Sequence, residues 1–245
     1  MASKPRVSTY VMIAVGILAI GAFALSKYLD YQIKNFPEVM AQDAAVTETD
    51  TPNAESASAD LDLEALLKPR ILGNPSAPIK ISEHSSLTCP HCSDFHKNVF
   101  SDFKKAYIDT GKAYLVFSDF PLNAPALQAS AIARCVPEER YFDFVNTLFD
   151  EQKDWAYSND YASFLKTKAG EYGVSAEKFD ACLNSTELRD GIVAGIKAAQ
   201  SQWDINSTPS FVVNNQITIS GAHDFAGFDK NIQDALSKIE SASGE

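Results

Sequence analysis

Hydrophobic and polar positions between residues 61 and 123 repeat with two different periods. Ile79–Glu83 alternates apolar and polar residues, which is typical of a strand, and Ala113–Phe117 is a short apolar run that predicts a second strand. Between them, from Cys92 to about Thr110, large apolar residues recur at helical spacing, and Gly111 is expected to end the helix. The order of strand, helix and strand predicts a βαβ unit with parallel strands and a right-handed crossover.

Residues 124–204 show helical periodicity throughout. The predicted helices are Ala126–Val136, Glu139–Gln152, Tyr161–Tyr172, Ala176–Leu183 and Glu187–Trp203. Two strands, Ser210–Val213 and Gln216–Ile219, follow with an Asn-Asn hairpin turn between them, and an amphipathic helix over Phe228–Ile239 closes the chain. We therefore expect an α/β fold in which residues 61–123 form the first half, residues 124–204 an all-helical insertion and residues 205–245 the second half.

The first 27 residues have the pattern of a membrane anchor or a signal segment. Val7–Leu25 carries no charge and follows Lys4 and Arg6, so the basic end is expected to stay in the cytoplasm. The uncharged run is long enough to span a bilayer, which favours a transmembrane anchor. The alternative is a cleaved signal peptide, because an A-x-A cleavage pattern begins at Ala22.

Residues 28–60 are expected to form an acidic, flexible tether. Ala41–Asp60 contains five acidic residues, no basic residues and no aromatic residues. Such a segment repels itself and cannot bury a core. The prediction is a single-pass protein of the inner membrane with its catalytic domain in the periplasm, or a periplasmic protein if the signal is cleaved.

Composition and charge narrow the classes of function. The chain has 245 residues and a net charge of −11, which argues against a nucleic-acid partner because phosphate binding needs a basic surface. The four cysteines of an exported chain are expected to form disulfides, and three pairings are open. Local spacing favours Cys89–Cys92, which leaves Cys135 and Cys182.

The sequence Cys89-Pro90-His91-Cys92 carries the candidate chemistry. Two thiols at this spacing can bond to each other with little backbone movement. A helix N-terminus at Cys89 and a neighbouring His91 imidazolium would both favour the Cys89 thiolate, which is the nucleophile in thiol–disulfide exchange. A purely structural disulfide and a zinc site are the alternatives, although zinc needs a second closely spaced pair of ligands. We interpret the remaining histidines as surface or internally satisfied residues: His84, His96 and His223.

Over about Ile71–Glu240, the chain resembles the DsbA-like family of exported disulfide oxidoreductases. The resemblance lies in ISEHSSLTCPHC at 81–92, DFPL at 119–122, STPSFVVN at 207–214, ISGA at 219–222 and the helical insertion. It implies a thioredoxin-like fold with an all-helical insertion, preceded by a transmembrane helix or signal segment.

The resemblance also implies roles for residues around the dithiol. Cys89 would be the attacking, partly exposed thiol and Cys92 the buried resolving thiol. Pro90 and His91 would tune the redox potential. Glu83 matches a buried acidic residue that relays protons for the second cysteine.

Two further pairs of residues gain roles from the resemblance. Pro209 would be a cis-proline beside the dithiol, and the exposed backbone of Thr208 would pair with an extended substrate as an added strand. Cys135 and Cys182 match a second cysteine pair found in a subset of the family. We expect them to form a structural disulfide between two helices of the insertion, with two free buried thiols as the alternative.

The predicted function is that of a monomeric thiol oxidase without cofactor or metal. It would donate the Cys89–Cys92 disulfide to unfolded or reduced exported proteins, and the family implies reoxidation by a DsbB-type membrane partner. One alternative is a disulfide isomerase or reductase that oligomerises through Ser26–Met40. The alternative from another class is a copper-handling protein that uses the two thiols as soft ligands.

Overall fold

The computed structural model describes residues 61–243, so the predicted anchor and tether lie outside the described residues. Within residues 61–243, no helix is both long and apolar enough to cross a membrane. The strands are β1 (Arg70–Leu72), β2 (Ile79–Ser85), β3 (Ala113–Asp119), β4 (Ser210–Val213) and β5 (Ile217–Ser220). The α-helices are α1 (Leu63–Leu67), α2 (Pro90–Asn98), α3 (Phe100–Phe103), α4 (Ala124–Cys135), α5 (Tyr141–Asp150), α6 (Gln152–Trp155), α7 (Tyr161–Glu171), α8 (Ala176–Asn184), α9 (Thr186–Trp203) and α10 (Phe225–Ser243).

The five strands form one mixed sheet in the order β1-β3-β2-β4-β5. Central β2 runs parallel to β3 and antiparallel to β4, and β4 pairs with β5 in the predicted hairpin. Asn214 and Asn215 have φ of 49° and 59°, the left-handed conformation that a type I′ turn requires at its two central residues. This arrangement, with the helical insertion between β3 and β4, confirms the fold class predicted from the sequence. Edge strand β1 was not predicted, because three residues are too few to show a period.

The helix predicted from Cys92 to about Thr110 is interrupted. Helix α2 ends before Val99, which has φ of −124°, and α3 and a π-helical turn over Lys104–Ile108 follow. Periodicity did not reveal the interruption, since the large apolar side chains still reach one face of the sheet. The clearest example is the buried contact of Phe95 with aromatic rings of β4 and α10.

The helical insertion builds a second hydrophobic core beside the cysteines. Helices α4–α9 contribute most of its buried residues, and the same core contains Cys92 from α2 and Phe117 from β3. The predicted helix Glu139–Gln152 is divided into a 3-10 turn over Glu138–Arg140, α5 and the start of α6. Because the insertion packs directly against α2, it helps to position the dithiol.

A disulfide between Cys135 and Cys182 joins α4 to α8 inside this core. The two residues are 47 positions apart in the sequence, and both are fully buried. The bond closes a long loop and therefore restricts the unfolded chain.

Replacing both Cys135 and Cys182 with Ala is expected to lower the free energy of unfolding by about 2–4 kcal/mol. Urea denaturation of the wild type and the double variant measures the difference. The slope of the transition serves as the control, since it reports the surface exposed on unfolding. Equal denaturation midpoints would contradict this structural role.

Candidate active site

The two cysteines of the CPHC sequence lie where the loop after β2 enters α2. Cys89 is the N-cap residue, with extended backbone angles, and Pro90 occupies the first turn. Proline suits this position because its fixed φ fits a helix and no backbone N–H is needed there. Cys89 is 7% exposed and Cys92 is fully buried, and the structure describes both as free thiols. An incoming sulfur can therefore reach Cys89 more readily than Cys92.

The surroundings of Cys89 favour its thiolate. A hydrogen bond from the Cys92 thiol lowers the pKa of Cys89 most, against burial, which raises it. Hydrogen bonds from Thr208 and from the backbone N–H groups of Cys92 and His91 lower it further, to about 5. Unpaired backbone N–H groups at a helix N-terminus are natural donors to an anion. At neutral pH, Cys89 is therefore a thiolate.

The ring of His91 lies away from this network. Its side chain is 74% exposed, and Nδ1 is 3.9 Å from the Asp94 carboxylate. What residue 91 supplies to the Cys89 sulfur is its backbone N–H. The CPHC motif alone predicts that the imidazolium supplies part of this stabilisation. The exposed position of the ring explains the difference, and an effect of the ring on the redox potential stays a prediction.

Cys92 has the opposite character. Burial, followed by the hydrogen bond and the negative charge of Cys89, raises the pKa of the Cys92 thiol far above its ordinary value. Ser85 and the backbone of Ser86 act in the other direction and lower the pKa of Cys92, with a smaller effect. Cys92 is therefore a protonated thiol at neutral pH and needs a proton acceptor before it can attack.

Glu83 supplies a buried carboxylate that contacts Ser85. It lies on β2 and is fully buried, and its Oε1 accepts a hydrogen bond of 2.5 Å from the Ser85 hydroxyl. The same oxygen is 2.8 Å from Nε2 of His96. No motif in the sequence marks Ser85 and His96 as site residues. Two patterns point to them, because residues 83 and 85 share one face of a strand and residues 92 and 96 share one face of a helix.

The loop before β4 forms the wall opposite the dithiol. The Thr208–Pro209 peptide bond is cis, and in the thiol form Cys89 Sγ donates to the Thr208 carbonyl oxygen over 3.4 Å. Thr208 is only 9% exposed, so its backbone is less open than the sequence analysis expected. Its carbonyl oxygen already contacts the Cys89 sulfur.

The helical insertion holds the loop that carries Cys89. Gln152 donates from Nε2 to the carbonyl oxygens of Leu87 and Cys89, at 2.8 Å and 3.0 Å. The Tyr157 hydroxyl donates to the Thr88 carbonyl oxygen over 3.1 Å. No sequence motif indicated these contacts, because they join residues more than 60 positions apart.

Replacing Gln152 with Ala is expected to lower the free energy of unfolding by about 1–3 kcal/mol, because buried carbonyl oxygens lose a donor. Urea denaturation measures the loss. Gln200→Ala, at an exposed position of α9, is the matched control and should change stability by less than about 0.5 kcal/mol. If the two variants are equally stable, Gln152 does not hold the loop.

Comparison with known proteins places this site in a family. A family model described as Thioredoxin matches residues 66–234. The crystal structure of Wolbachia pipientis alpha-DsbA1 is 32% identical in sequence and superposes with a TM-score of 0.63, over 73% of this chain and 97% of that chain. The chain belongs to the DsbA-like family.

Other similar proteins carry names that indicate different activities. A Rickettsia felis protein named "Putative protein-disulfide oxidoreductase" is 35% identical over 145 residues, or 59% of this chain and 52% of that protein. The chain thus spans about half the length of the Rickettsia typhi and Rickettsia felis proteins that it matches. A structure of a protein-disulfide isomerase from Novosphingobium aromaticivorans is 25% identical, with a TM-score of 0.58 over 69% of this chain and 97% of that chain. Proteins with oxidoreductase names and a protein with an isomerase name are therefore both similar to this chain.

Proposed function

We propose that this DsbA-like protein is a thiol:disulfide oxidoreductase and acts as an oxidase on reduced exported proteins. The observation that carries the proposal is the contrast between the Cys89 thiolate, with a pKa of about 5, and the buried Cys92 thiol. Interactions that stabilise the dithiol form make the corresponding disulfide a stronger oxidant. Those interactions are built from the helix N-terminus, Thr208 and Cys92 itself.

The reaction is thiol–disulfide exchange. A substrate thiolate attacks the Cys89 sulfur of the Cys89–Cys92 disulfide, and Cys92 leaves with the electron pair and takes up a proton. A second substrate thiolate then attacks the substrate sulfur of the mixed disulfide. Cys89 leaves as a thiolate, and its low pKa makes it a good leaving group. The substrate departs with a disulfide and the enzyme as a dithiol.

Unfolded polypeptides fit the surface around Cys89. Two large hydrophobic side chains are exposed near it, Leu122 at 56% and Tyr157 at 66%. Both residues hydrogen-bond to the loop that precedes Cys89, at Ser86 and Thr88. Apolar side chains that an unfolded chain exposes can pack against such residues. The second contact that we propose is a hydrogen bond between the substrate backbone and the backbone of Thr208. It requires the Cys89 sulfur to move away from the Thr208 carbonyl oxygen as the substrate approaches.

We also propose that the protein works outside the cytoplasm, tethered by its N-terminal segment, as a monomer. The Cys135–Cys182 disulfide supports this location, because structural disulfides persist in oxidising compartments. A DsbB-type membrane protein is the proposed reoxidant. The support for it is family membership and the uncharged segment Val7–Leu25.

The second candidate function is disulfide isomerisation or reduction, which the name of the Novosphingobium neighbour favours. Refolding of ribonuclease with the full chain separates the two. The oxidised protein is expected to activate reduced ribonuclease, whereas scrambled ribonuclease should gain activity no faster than without the protein. Rapid rescue of scrambled ribonuclease would favour the isomerase. Nothing in the comparisons supports the copper-handling alternative.

A further inference from the structure

The three carbonyl groups just before the first turn of α2 are all bound by one short segment of the helical insertion. The Gln152 amide donates from Nε2 to the carbonyl oxygens of Leu87 and Cys89. The Tyr157 hydroxyl donates to the carbonyl oxygen of Thr88, which lies between them. An amide nitrogen has two N–H bonds, so one glutamine side chain can serve two carbonyls. The loop that presents Cys89 is therefore held at three successive peptide groups.

Gln152 is itself fixed within the insertion. It is the first residue of α6 and is buried. At the other end of α6, the fully buried Trp155 donates from Nε1 to the Leu148 carbonyl oxygen over 2.9 Å, which ties α6 to α5. Helix α5 also binds α2 directly, because Ser93 Oγ donates to the Phe149 carbonyl oxygen over 2.8 Å. The first turn of α2 and the loop before it are thus bound to the same part of the insertion.

The Cys89 carbonyl stands at the start of helix α2. It accepts a helical backbone hydrogen bond from the Ser93 N–H over 3.1 Å, in addition to the bond from Gln152. A carbonyl held at this point fixes the plane of the peptide group that leads into the helix. The Cys92 thiol and the backbone N–H groups of His91 and Cys92, which stabilise the Cys89 thiolate, all lie on the turn that begins there. Hydrogen bonds weaken steeply when the donor turns away from the acceptor, so the thiolate depends on the orientation of this turn.

We propose that Gln152 is a positioning residue for Cys89, which orients the first turn of α2 toward the sulfur by holding the carbonyl groups before it. The helical insertion then contributes to the oxidising strength of the dithiol as well as to its support. The proposal deepens the proposed function and rests on it, because a stabilised dithiol form makes the disulfide a stronger oxidant. Tyr157 is the weaker anchor, since it binds one carbonyl and its side chain is largely exposed.

A purely structural role for Gln152 would have different consequences. Loss of a structural contact lowers the stability of the reduced and the oxidised protein alike and leaves the ionisation of Cys89 unchanged. Loss of the orientation of the turn affects the reduced protein selectively, because only that form carries a thiolate. The pH at which Cys89 ionises then rises, and the equilibrium with glutathione shifts toward the disulfide. The two changes are linked, since each unit by which the pKa of Cys89 rises toward 7 changes the equilibrium constant at pH 7 about tenfold.

The test compares variants of the full-length chain. Gln152→Met keeps a long, unbranched side chain of similar size but has no N–H group. The pH of half-maximal alkylation of Cys89 by iodoacetamide is expected to rise by about 0.5–1 unit, which corresponds to the loss of about one hydrogen bond. The glutathione equilibrium at pH 7 should shift about 3- to 10-fold toward the disulfide. Gln200→Met, at an exposed position of α9, is the matched control and should change neither quantity.

Agreement between the two measurements decides the outcome. The proposal is overturned if folded Gln152→Met ionises Cys89 at the wild-type pH, or if its glutathione equilibrium is unchanged or shifts toward the dithiol. If Gln152→Met does not fold, Tyr157→Phe decides instead, because it removes only an exposed hydroxyl. It should shift the equilibrium about twofold toward the disulfide, and an unchanged equilibrium would then overturn the proposal. Failure of the proposed oxidase function would show elsewhere, as wild-type protein that does not activate reduced ribonuclease.

Discussion

Replacing Cys89 with Ser is expected to reduce disulfide transfer to the uncatalysed background. Cys89 is the more exposed of the two sulfurs and the one whose thiolate is stabilised at neutral pH. A serine hydroxyl cannot form the mixed disulfide that the reaction requires. Oxidation of reduced ribonuclease by stoichiometric amounts of protein measures the loss.

The reciprocal change, Cys92→Ser, is expected to give a different result. Cys89 remains reactive but no resolving thiol is left, so mixed disulfides with substrate proteins should accumulate. They would appear as reductant-sensitive bands on non-reducing gels, absent from a Cys89→Ser/Cys92→Ser control. Turnover by Cys89→Ser at the wild-type rate, or trapping through Cys135 or Cys182, would contradict the assignment.

The stability of the reduced protein is expected to rise steeply with pH relative to that of the oxidised protein. The Cys89 thiol has a pKa of about 5 when folded, against a reference of 9.0 for the unfolded chain. Because the pKa of Cys89 is lower in the folded chain, the thiolate stabilises the fold. The stabilisation is complete at a pH above the pKa of the unfolded chain, and it is lost as the pH falls to the pKa of the folded chain. Between pH 5 and pH 9 each unit adds about 1.4 kcal/mol, which gives about 3 kcal/mol at pH 7. The oxidised protein has no Cys89 thiolate and lacks this increment.

Urea denaturation of both redox forms between pH 5 and pH 8 tests this expectation. The reduced form should gain free energy of unfolding over the oxidised form as pH rises, and the gain should vanish near pH 5. Reduced Cys89→Ser is the matched control and should lack the gain. Alkylation by iodoacetamide gives an independent check, with a half-maximal rate near pH 5. Parallel stability curves for the two redox forms would show that Cys89 is not selectively ionised.

Local sequence patterns predicted the elements that carry the dithiol. The alternation in β2, the apolar run of β3 and the Asn214-Asn215 turn each reflect short-range constraints, and each is present in the fold. Strand β1 and the π-helical turn over Lys104–Ile108 were missed because short elements depend on their tertiary neighbours.

The site was predicted less completely than the fold. The motif indicated the two cysteines, each of which strongly shifts the pKa of the other, but not the smaller effects of Thr208 before β4 and Ser85 on β2. Gln152 and His96 have no recognisable motif, since their partners lie on other elements. The expected contribution of the His91 ring illustrates the same limit, because only the fold shows that the ring faces Asp94 and the backbone faces the sulfur.

Equilibration of the Cys89–Cys92 pair with glutathione buffers tests the central claim most directly. The full-length protein is incubated across a series of glutathione ratios, and the reduced fraction is counted by thiol alkylation and mass. A stabilised Cys89 thiolate predicts a potential above about −180 mV, more oxidising than protein disulfide isomerase. A potential near about −270 mV, as in thioredoxin, would mean that the protein removes disulfides and would contradict the proposed oxidase function.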